Sequence, residues 1–283
     1  MGYLYVAPAL LVAGAFMLWP LAHAIWLSFY EWNGLGLGTW VGLGNYRDVL
    51  SDSELRAPFV HAAVLVGFFS VLPVMLGLAL AALMSRAQLR GAGFFRTVLF
   101  LPQVIAMTVV AVAWRDIFAP QGALNDVLRA VGLDGWATAW LGDSSTALSA
   151  VGVVGMWVGT GLCVVLFLAG LSKVPRELYE AARLDGAGAV AEFFAVSLPA
   201  LRGELAVAVT LTIVAALRTF DLVYILTPGG GPGDSTTVPS YEVYRMSFER
   251  GRVGTGVTIA LLLTAVILLA TVLVNKFAER DDA

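Results

Sequence analysis

Six long apolar segments set the strongest limit on what this chain can fold into. A helix needs roughly 20 apolar residues to cross a membrane, and each segment is long enough. The segments cover about 3–27, 58–84, 97–118, 147–171, 201–227 and 253–277. A helix in a bilayer satisfies its own backbone hydrogen bonds. We therefore predict an all-α, polytopic membrane protein with six transmembrane helices, in a single domain over residues 1–283.

The composition agrees with a membrane protein and excludes several other classes. Of the 283 residues, 59% are hydrophobic and only 13% are charged, whereas soluble domains carry about 25% charged residues. The net charge of −3 argues against nucleic acid as a partner. The first apolar segment is too long for a signal peptide core. Because it begins near Tyr3, we expect only a short cytoplasmic beginning.

No pattern of catalytic or metal-binding residues is present in the sequence. Cys163 is the only cysteine, so a disulfide within the chain is impossible. His23 and His61 have no acidic or cysteine partner at ligand spacing, and both are predicted to be interfacial or bundle histidines. Neither Lys173 nor Lys276 lies in a phosphate-binding glycine loop. We predict no enzyme activity, no metal and no cofactor in this chain.

The polar-rich stretch from Lys173 to Leu201 separates two of the apolar segments. Pro175 suits the first position of a helix, since its missing N–H would be unpaired there. Gly186 can take the left-handed conformation that ends a helix. Val190, Phe193 and Phe194 then repeat helical spacing. The stretch is predicted to form two short helices joined by a glycine bend outside the bilayer.

Lysine and arginine counts indicate an orientation, because cytoplasmic loops are enriched in these residues. The side that carries the second-to-third loop, the Lys173–Leu201 stretch and the C-terminus holds nine, against six on the other side. This modest bias predicts that both termini are cytoplasmic.

The motif in the polar stretch resembles the cytoplasmic signature loop of bacterial ABC-importer permeases. That loop reads E-A-A, three residues, G, nine residues, a β-branched residue, one more, then L-P. Matching positions here are Glu180, Ala181, Ala182, Gly186, Val196, Leu198 and Pro199. The wording is most similar to carbohydrate-uptake permeases of the maltose and glycerol-phosphate type. The alternative is an ordinary amphipathic loop helix.

The resemblance extends over nearly the whole chain. Val41–Tyr46 resembles an external element of the family, and Phe220-Asp221, Tyr224 and Leu226-Thr227 resemble the end of its fifth span. That ending is typical of the first permease subunit of a maltose-type heterodimer. One departure follows Thr227, where the glycine run is one residue longer than the family pattern.

The resemblance implies an ABC type I importer fold and a set of partners. These are a second permease subunit, two ABC ATPase subunits or domains that bind ATP and Mg, an extracytoplasmic sugar-binding protein, and the lipid bilayer of the bacterial plasma membrane. The cytoplasmic loop 172–200 would couple to the ATPase. The coupling residues implied are Glu180, Ala181, Ala182, Arg183, Asp185 and Gly186.

The resemblance and the residue chemistry together suggest a substrate path. Family substrate positions correspond to Val158, Gly159 and Leu162 around Trp157, and to Thr212, Ala215, Ala216 and Thr219. Gln103 and Tyr224 are further polar candidates, with bundle hydrogen bonding as the alternative. Arg218 and Asp221, three residues apart, are predicted to share one helical face. Charges inside a span are functional candidates, and an internal ion pair is the alternative.

Three other functions compete with sugar import. The cargo could be glycerol phosphate or another polyol, although a phosphate would want several convergent basic groups. An ion-driven secondary transporter would usually show a repeated half, and none is found in the sequence. A membrane-embedded enzyme would need clustered acid and base residues, and the sequence has no such cluster.

Overall fold

A computed structural model describes residues 2–86 and 91–279, and helices dominate it. The helices are α1 (Gly2–Ala13), α2 (Trp19–Leu27), α3 (Gly44–Ser51), α4 (Ser53–Val66), α5 (Leu72–Arg86), α6 (Ala92–Val104), α7 (Met107–Ile117), α8 (Ala123–Ala130), α9 (Ala147–Leu171), α10 (Arg176–Leu184), α11 (Ala189–Glu192), α12 (Leu198–Ala200), α13 (Arg202–Leu217), α14 (Asp221–Leu226), α15 (Pro239–Tyr244) and α16 (Val253–Glu279). A two-residue antiparallel hairpin, β1 (Tyr30–Glu31) with β2 (Thr39–Trp40), pairs Tyr30 with Trp40.

Wider π-helical turns join several of these helices end to end, and three of them precede a proline. Proline has no N–H to donate to the carbonyl four residues earlier, and π-helical turns are one cause of local helix distortion. The turns and their prolines are Gly14–Leu18 before Pro20, Gly67–Val71 before Pro73, and Phe193–Ser197 before Pro199. The helices therefore continue through these prolines, as the sequence predicts for Pro20.

Four helices are long and apolar enough to cross a membrane by themselves. They are Tyr5–Leu27, Ser53–Ser85, Ala147–Leu171 and Val253–Lys276. Two bent pairs, Gly93–Val104 with Met107–Ile117 and Ala189–Ala200 with Arg202–Leu217, raise the number to six if each pair counts as one span. The polytopic, mostly helical fold is thus confirmed, and six crossings stay a prediction.

The third predicted span is not one straight helix. Its two parts meet at an angle of 99°, because Ile105 and Ala106 adopt extended backbone between α6 and α7. Pro102, inside α6, already removes one backbone donor just before the break. The fifth predicted span is also divided, since α13 ends at Leu217 and α14 begins at Asp221.

The chain forms two compact units, of which the first comprises residues up to 60 together with 238–266. Val49, Leu55, Met246 and Ile259 form its apolar core. Asn45 is buried at the centre of a polar cluster. Its Nδ2 donates to one carbonyl oxygen just before the hairpin and to one in β1, and its Oδ1 accepts from the hydroxyl of a threonine on α16. The partners are Ser28 O at 2.8 Å, Tyr30 O at 2.9 Å and Thr255 Oγ1 at 3.3 Å.

The second unit comprises residues 61–237 with the part of α16 from 267 onward. Its core surrounds α9, where Cys163, Val164 and Phe167 are fully buried. Small residues on α9 let neighbouring helices approach closely, as is common between helices in membranes. A Cβ at Gly161 would overlap the carbonyl oxygen of Leu99 on α6. The contact between α9 and α6 therefore depends on that glycine.

Candidate functional site

The loop between α9 and α13 forms the predicted pair of helices joined by a bend. Pro175 is extended (φ −59°, ψ 138°) and immediately precedes α10, so the helix begins at Arg176, one residue later than predicted. At the other end, Gly186 has φ +84°, which confirms the left-handed position expected of it. Ala187 N donates to Ala182 O at 2.9 Å and Gly186 N donates to Arg183 O at 3.1 Å. This bonding pattern is a Schellman motif, which glycine favours.

Most of the predicted coupling residues lie on the surface of this loop. Glu180, Ala181, Arg183, Asp185 and Gly186 are exposed, and Ala182 is half-buried. Large apolar side chains lie exposed among them. They are Leu178, Leu184, Val190 and Phe194. The loop therefore presents charged and apolar groups together, as a protein-binding surface does.

Two side-chain links join α10 to the helical segment that follows the bend. Arg183 Nε donates to Glu192 Oε2 at 3.0 Å, and Arg183 Nη2 lies 3.5 Å from Glu192 Oε1. The hydrogen bond to Glu192, helped by the attraction between the opposite charges, raises the pKa of Arg183 above its ordinary value. One α-helical turn earlier, Tyr179 Oη lies 3.2 Å from Ser197 Oγ. We call these four residues the loop links.

A cavity of about 430 Å³ lies in the second unit, within the range typical of small-molecule sites. It contains seven of the ten predicted substrate-path residues and both predicted charges. The seven are Gln103, Val158, Gly159, Leu162, Thr212, Ala215 and Thr219, and the charges are Arg218 and Asp221. Positions from three predicted spans therefore converge on one cavity.

Three predicted substrate-path residues do not line this cavity. Trp157 makes an edge-to-face contact with Trp114, with ring centroids 5.5 Å apart. Ala216 is completely buried. Tyr224 stacks on Phe220, with ring centroids 5.3 Å apart and an interplanar angle of 19°. Tyr224 thus contacts Phe220, which does line the cavity. Trp157 precedes Val158 in the sequence, and Val158 also lines the cavity.

The two predicted threonines differ from Gln103 in what surrounds them. The Thr212 hydroxyl is buried, donates to Ala208 O at 2.7 Å, and lies 2.7 Å from Ser70 Oγ. The Thr212 hydroxyl therefore already has partners within the protein. Thr219 is also buried, at the edge of the cavity. Gln103, by contrast, is exposed on the cavity wall.

The prediction that Arg218 and Asp221 share one helical face is wrong. Arg218 directly follows the end of α13 at Leu217, and Phe220, with φ −133° and ψ −56°, separates it from α14. Periodicity of 3.6 residues does not apply across such a break. Within residues 2–86 and 91–279, the two charges do not form an ion pair with each other. Both are exposed and line the cavity instead.

The sequence reasoning missed several residues that complete the cavity wall. They are Phe69, Met107, Gly155, Leu211, Val214 and Phe220. Phe69 lies in the π-helical turn before Pro73, and Phe220 lies in the break between α13 and α14. Pro73 is a sequence signal for the turn that contains Phe69, but no local sequence pattern indicates the break that contains Phe220.

Apolar helices around a cavity, with an exposed pair of helices between two of them, are features expected of a membrane transport component. Comparison with known proteins makes this assignment specific. The family described as "Binding-protein-dependent transport system inner membrane component" matches residues 73–281. The chain belongs to this family, and is a multi-pass inner-membrane permease of a binding-protein-dependent ABC importer.

Individual relatives cover almost the entire chain. The Bacillus subtilis (strain 168) probable ABC transporter permease protein YurN is 37% identical over 278 residues, covering 97% of this chain and 94% of the relative. The trehalose/maltose transport system permease protein MalF of Thermococcus litoralis is 34% identical, with 98% and 92% covered. A bacterial ABC transporter involved in alginate import has the same fold, with a TM-score of 0.84, 19% identity, and 98% and 94% coverage.

The family assignment has direct consequences for the predicted activity. The resemblance to ABC-importer permeases is confirmed, and an ion-driven secondary transporter is excluded. As a permease component, the chain has no ATPase activity and no cofactor of its own.

Proposed function

We propose that this chain forms one half of the membrane path for a carbohydrate in an ATP-driven importer. A second permease subunit supplies the other half, two ATPase subunits dock on the loop between α9 and α13, and an external binding protein delivers the sugar. The observation that carries the proposal is the cavity that unites seven predicted substrate-path residues with Arg218 and Asp221.

The chemistry of the cavity wall supports a carbohydrate as the cargo. Sugars need hydrogen-bonding groups for hydroxyls and an apolar or aromatic surface for C–H faces. Gln103 and Thr219 bring polar groups, and Phe69 and Phe220 bring aromatic faces. The Thermococcus relative, 34% identical, is named for trehalose and maltose transport. Both observations favour a neutral sugar.

The charges in the cavity argue against a phosphate-bearing cargo such as glycerol phosphate. Recognition of phosphate uses cationic groups, often arginine in a bidentate geometry. Among the described residues of this wall, Arg218 is the one cation, and the carboxylate of Asp221 lines the same cavity. Asp221 would repel a phosphate, whereas it can accept hydrogen bonds from sugar hydroxyls.

The exposed residues of the loop support its role in coupling to the ATPase. Glu180 to Gly186 would dock in the partner, together with the exposed apolar side chains around them. ATP binding would close the ATPase dimer and displace the loop, and the spans would then change from inward-facing to outward-facing. This arrangement puts the loop and both termini in the cytoplasm.

Substituted-cysteine protection in the assembled importer tests the substrate path. Ala215 is exposed on the cavity wall, and Cys163 is the only native cysteine, so Ala215→Cys in a Cys163→Ala background gives one accessible thiol. We expect maltose or trehalose, or another member of a panel of mono- and disaccharides that the importer transports, to slow labelling by a small thiol reagent. Val207→Cys, exposed on the same helix outside the cavity, is the control.

Two results would contradict the proposal. If a transported sugar protects neither position, or protects Val207→Cys equally, the cavity is not on the path. If sn-glycerol 3-phosphate is transported and no sugar is, the cargo class is wrong.

A further inference from the structure

The ion pair between Arg183 and Glu192 crosses the bend of the loop. Arg183 lies in the last turn of α10, and Glu192 is the last residue of α11. Glu192 is 3% exposed, whereas the side chain of Arg183 remains mostly exposed. A carboxylate is costly to bury without a paired charge. The pair therefore connects an exposed helix to a residue that is anchored in the protein.

The glycines of the bend do not fix its angle by packing. A Cβ built at Gly186 or at Gly188 would meet no described atom within 4 Å, so neither glycine is packed against a neighbour. Tyr179 and Arg183 are four residues apart on α10 and therefore lie on one face. Their partners, Ser197 and Glu192, are both buried. The loop links thus set the angle between α10 and the segment from α11 to α12.

The surface of α10 beside the loop links is available to a partner. Glu180 and Leu184 are exposed, and Leu184 is 89% exposed. A partner that moves this surface moves α13 only if α10 and the segment before α13 turn together. The segment from Ala189 to Ala200 meets α13 directly at Leu201, with a bend of 73°. The ion pair is thus in the mechanical path from the docking surface to the cavity-lining helix.

We propose that the Arg183–Glu192 ion pair is a latch that fixes the angle of the coupling helix, so that a displacement of α10 reaches α13. The proposal rests on the proposed function of the loop in ATPase coupling. Arg183 and Glu192 are positioning residues in it. Removing the Glu192 carboxylate leaves every predicted docking residue unchanged and lets α10 pivot at Gly186, so ATP is hydrolysed without a matching movement of the spans.

The test uses the complete importer reconstituted in proteoliposomes, with the sugar transported by the wild-type complex as the probe. Three variants are compared: Arg183→Gln, Glu192→Gln, and the charge swap Arg183→Glu with Glu192→Arg. The readouts are co-purification of the ATPase and the number of ATP molecules hydrolysed per sugar imported. We expect Glu192→Gln, which changes no predicted docking residue, to keep the ATPase. Because Arg183 is also a predicted docking residue, the ratio is compared in complexes that contain the ATPase, where we expect both single variants to raise it about threefold or more and the swap to bring it back towards wild type.

Arg129→Gln is the matched control. It removes a different arginine–carboxylate pair, Arg129 with Asp126 at 3.2 Å, on the exposed helix α8. The ratio of ATP to sugar should not change in this variant. If the loss of any one arginine charge raised the ratio of ATP to sugar, Arg129→Gln would raise it as Arg183→Gln does.

Several outcomes would overturn the latch. An unchanged ratio in both single variants would do so, and so would a swap that behaves no better than the single variants. Loss of the ATPase from Glu192→Gln would mean that the pair holds the docking surface together and does not transmit movement. If the wild-type chain binds no ATPase, the proposed function itself fails, and the latch fails with it.

Discussion

The proposed function of the loop depends directly on the backbone conformation of Gly186. Its φ of +84° belongs to the left-handed region, which costs an L-residue about 1–2 kcal/mol and a β-branched residue more. Because no described atom lies within 4 Å of the position that a Cβ would take there, this cost comes from the backbone and not from a steric clash with neighbours. The direction in which the chain leaves α10 therefore depends on glycine.

Gly186→Val should redirect the exit of α10 and uncouple the importer. We expect sugar uptake by the reconstituted complex to fall by about tenfold, consistent with a strain of about 1–2 kcal/mol, while ATP hydrolysis persists. Gly188→Val is the control, because Gly188 has an ordinary φ of −75° and the same open surroundings. Normal uptake and normal ATP hydrolysis by Gly186→Val would refute this role.

Single residues also show where sequence reasoning succeeded and where it could not. Gly186 was predictable because a left-handed helix end has a strong local preference for glycine. Phe220 was not, because it contributes to the cavity only through the break between α13 and α14. The same break invalidated the helical spacing assumed for Arg218 and Asp221. Local periodicity describes a continuous helix and contains no information on where tertiary packing interrupts it.

At the level of elements, α9 organises the packing of the second unit. Its glycines replace the large side chains expected in a soluble core, and they bring backbones together. A Cβ at Gly155 would overlap the ring of Phe69, which lines the cavity, and one at Gly161 would overlap Leu99 O. Helix contact and cavity shape therefore both depend on glycines of α9.

Gly161→Ala should destabilise the chain by pushing α6 away from α9. Overpacking of this kind typically costs about 1–3 kcal/mol, so we expect a lower Tm for the purified protein in detergent. Gly203→Ala is the control, since Gly203 is helical and has no described atom within 4 Å of a Cβ position. That variant should match or exceed wild-type stability by about 0.5–1 kcal/mol. Equal Tm values for Gly161→Ala and wild type would mean that the helices separate without cost.

The elements could be predicted from sequence to different degrees. The long apolar helix Ala147–Leu171 was predicted with its observed bounds, because a continuous apolar run has few alternatives in a membrane. The third predicted span was correct in composition and wrong in shape. Its break falls at Ile105 and Ala106, two residues with no intrinsic tendency to end a helix. Packing against neighbouring helices decides such a break, and a local pattern does not record it.

At the scale of the whole molecule, orientation in the membrane is the property that links the cavity to its partners. The counts of lysine and arginine predict that the loop between α9 and α13 is cytoplasmic and that the β1–β2 hairpin is external. Leu184 in the loop and Leu37 in the hairpin are both highly exposed, and Cys163 is buried. Single cysteines at the two positions can therefore report on the two sides independently.

A membrane-impermeant maleimide should label Leu37→Cys in spheroplasts and Leu184→Cys in inside-out vesicles. Each variant serves as the control for the other, and the wild-type chain, with only Cys163, reports background labelling. The reverse pattern would invert the proposed orientation. It would also remove the loop from the compartment in which ATP is available.

The predicted first and fourth spans differ in how much of their surface the chain itself covers. None of the most apolar window of Tyr5–Leu27 is buried within the described part of the chain, whereas 56% of the corresponding window of Ala147–Leu171 is. Translation delivers Tyr5–Leu27 before Ala147–Leu171, and a helix with satisfied backbone groups is stable in lipid by itself. Tyr5–Leu27 can therefore enter the bilayer before the later helices have been synthesised. Ala147–Leu171, with its glycine-rich face, reaches its final packing only after later helices have been synthesised.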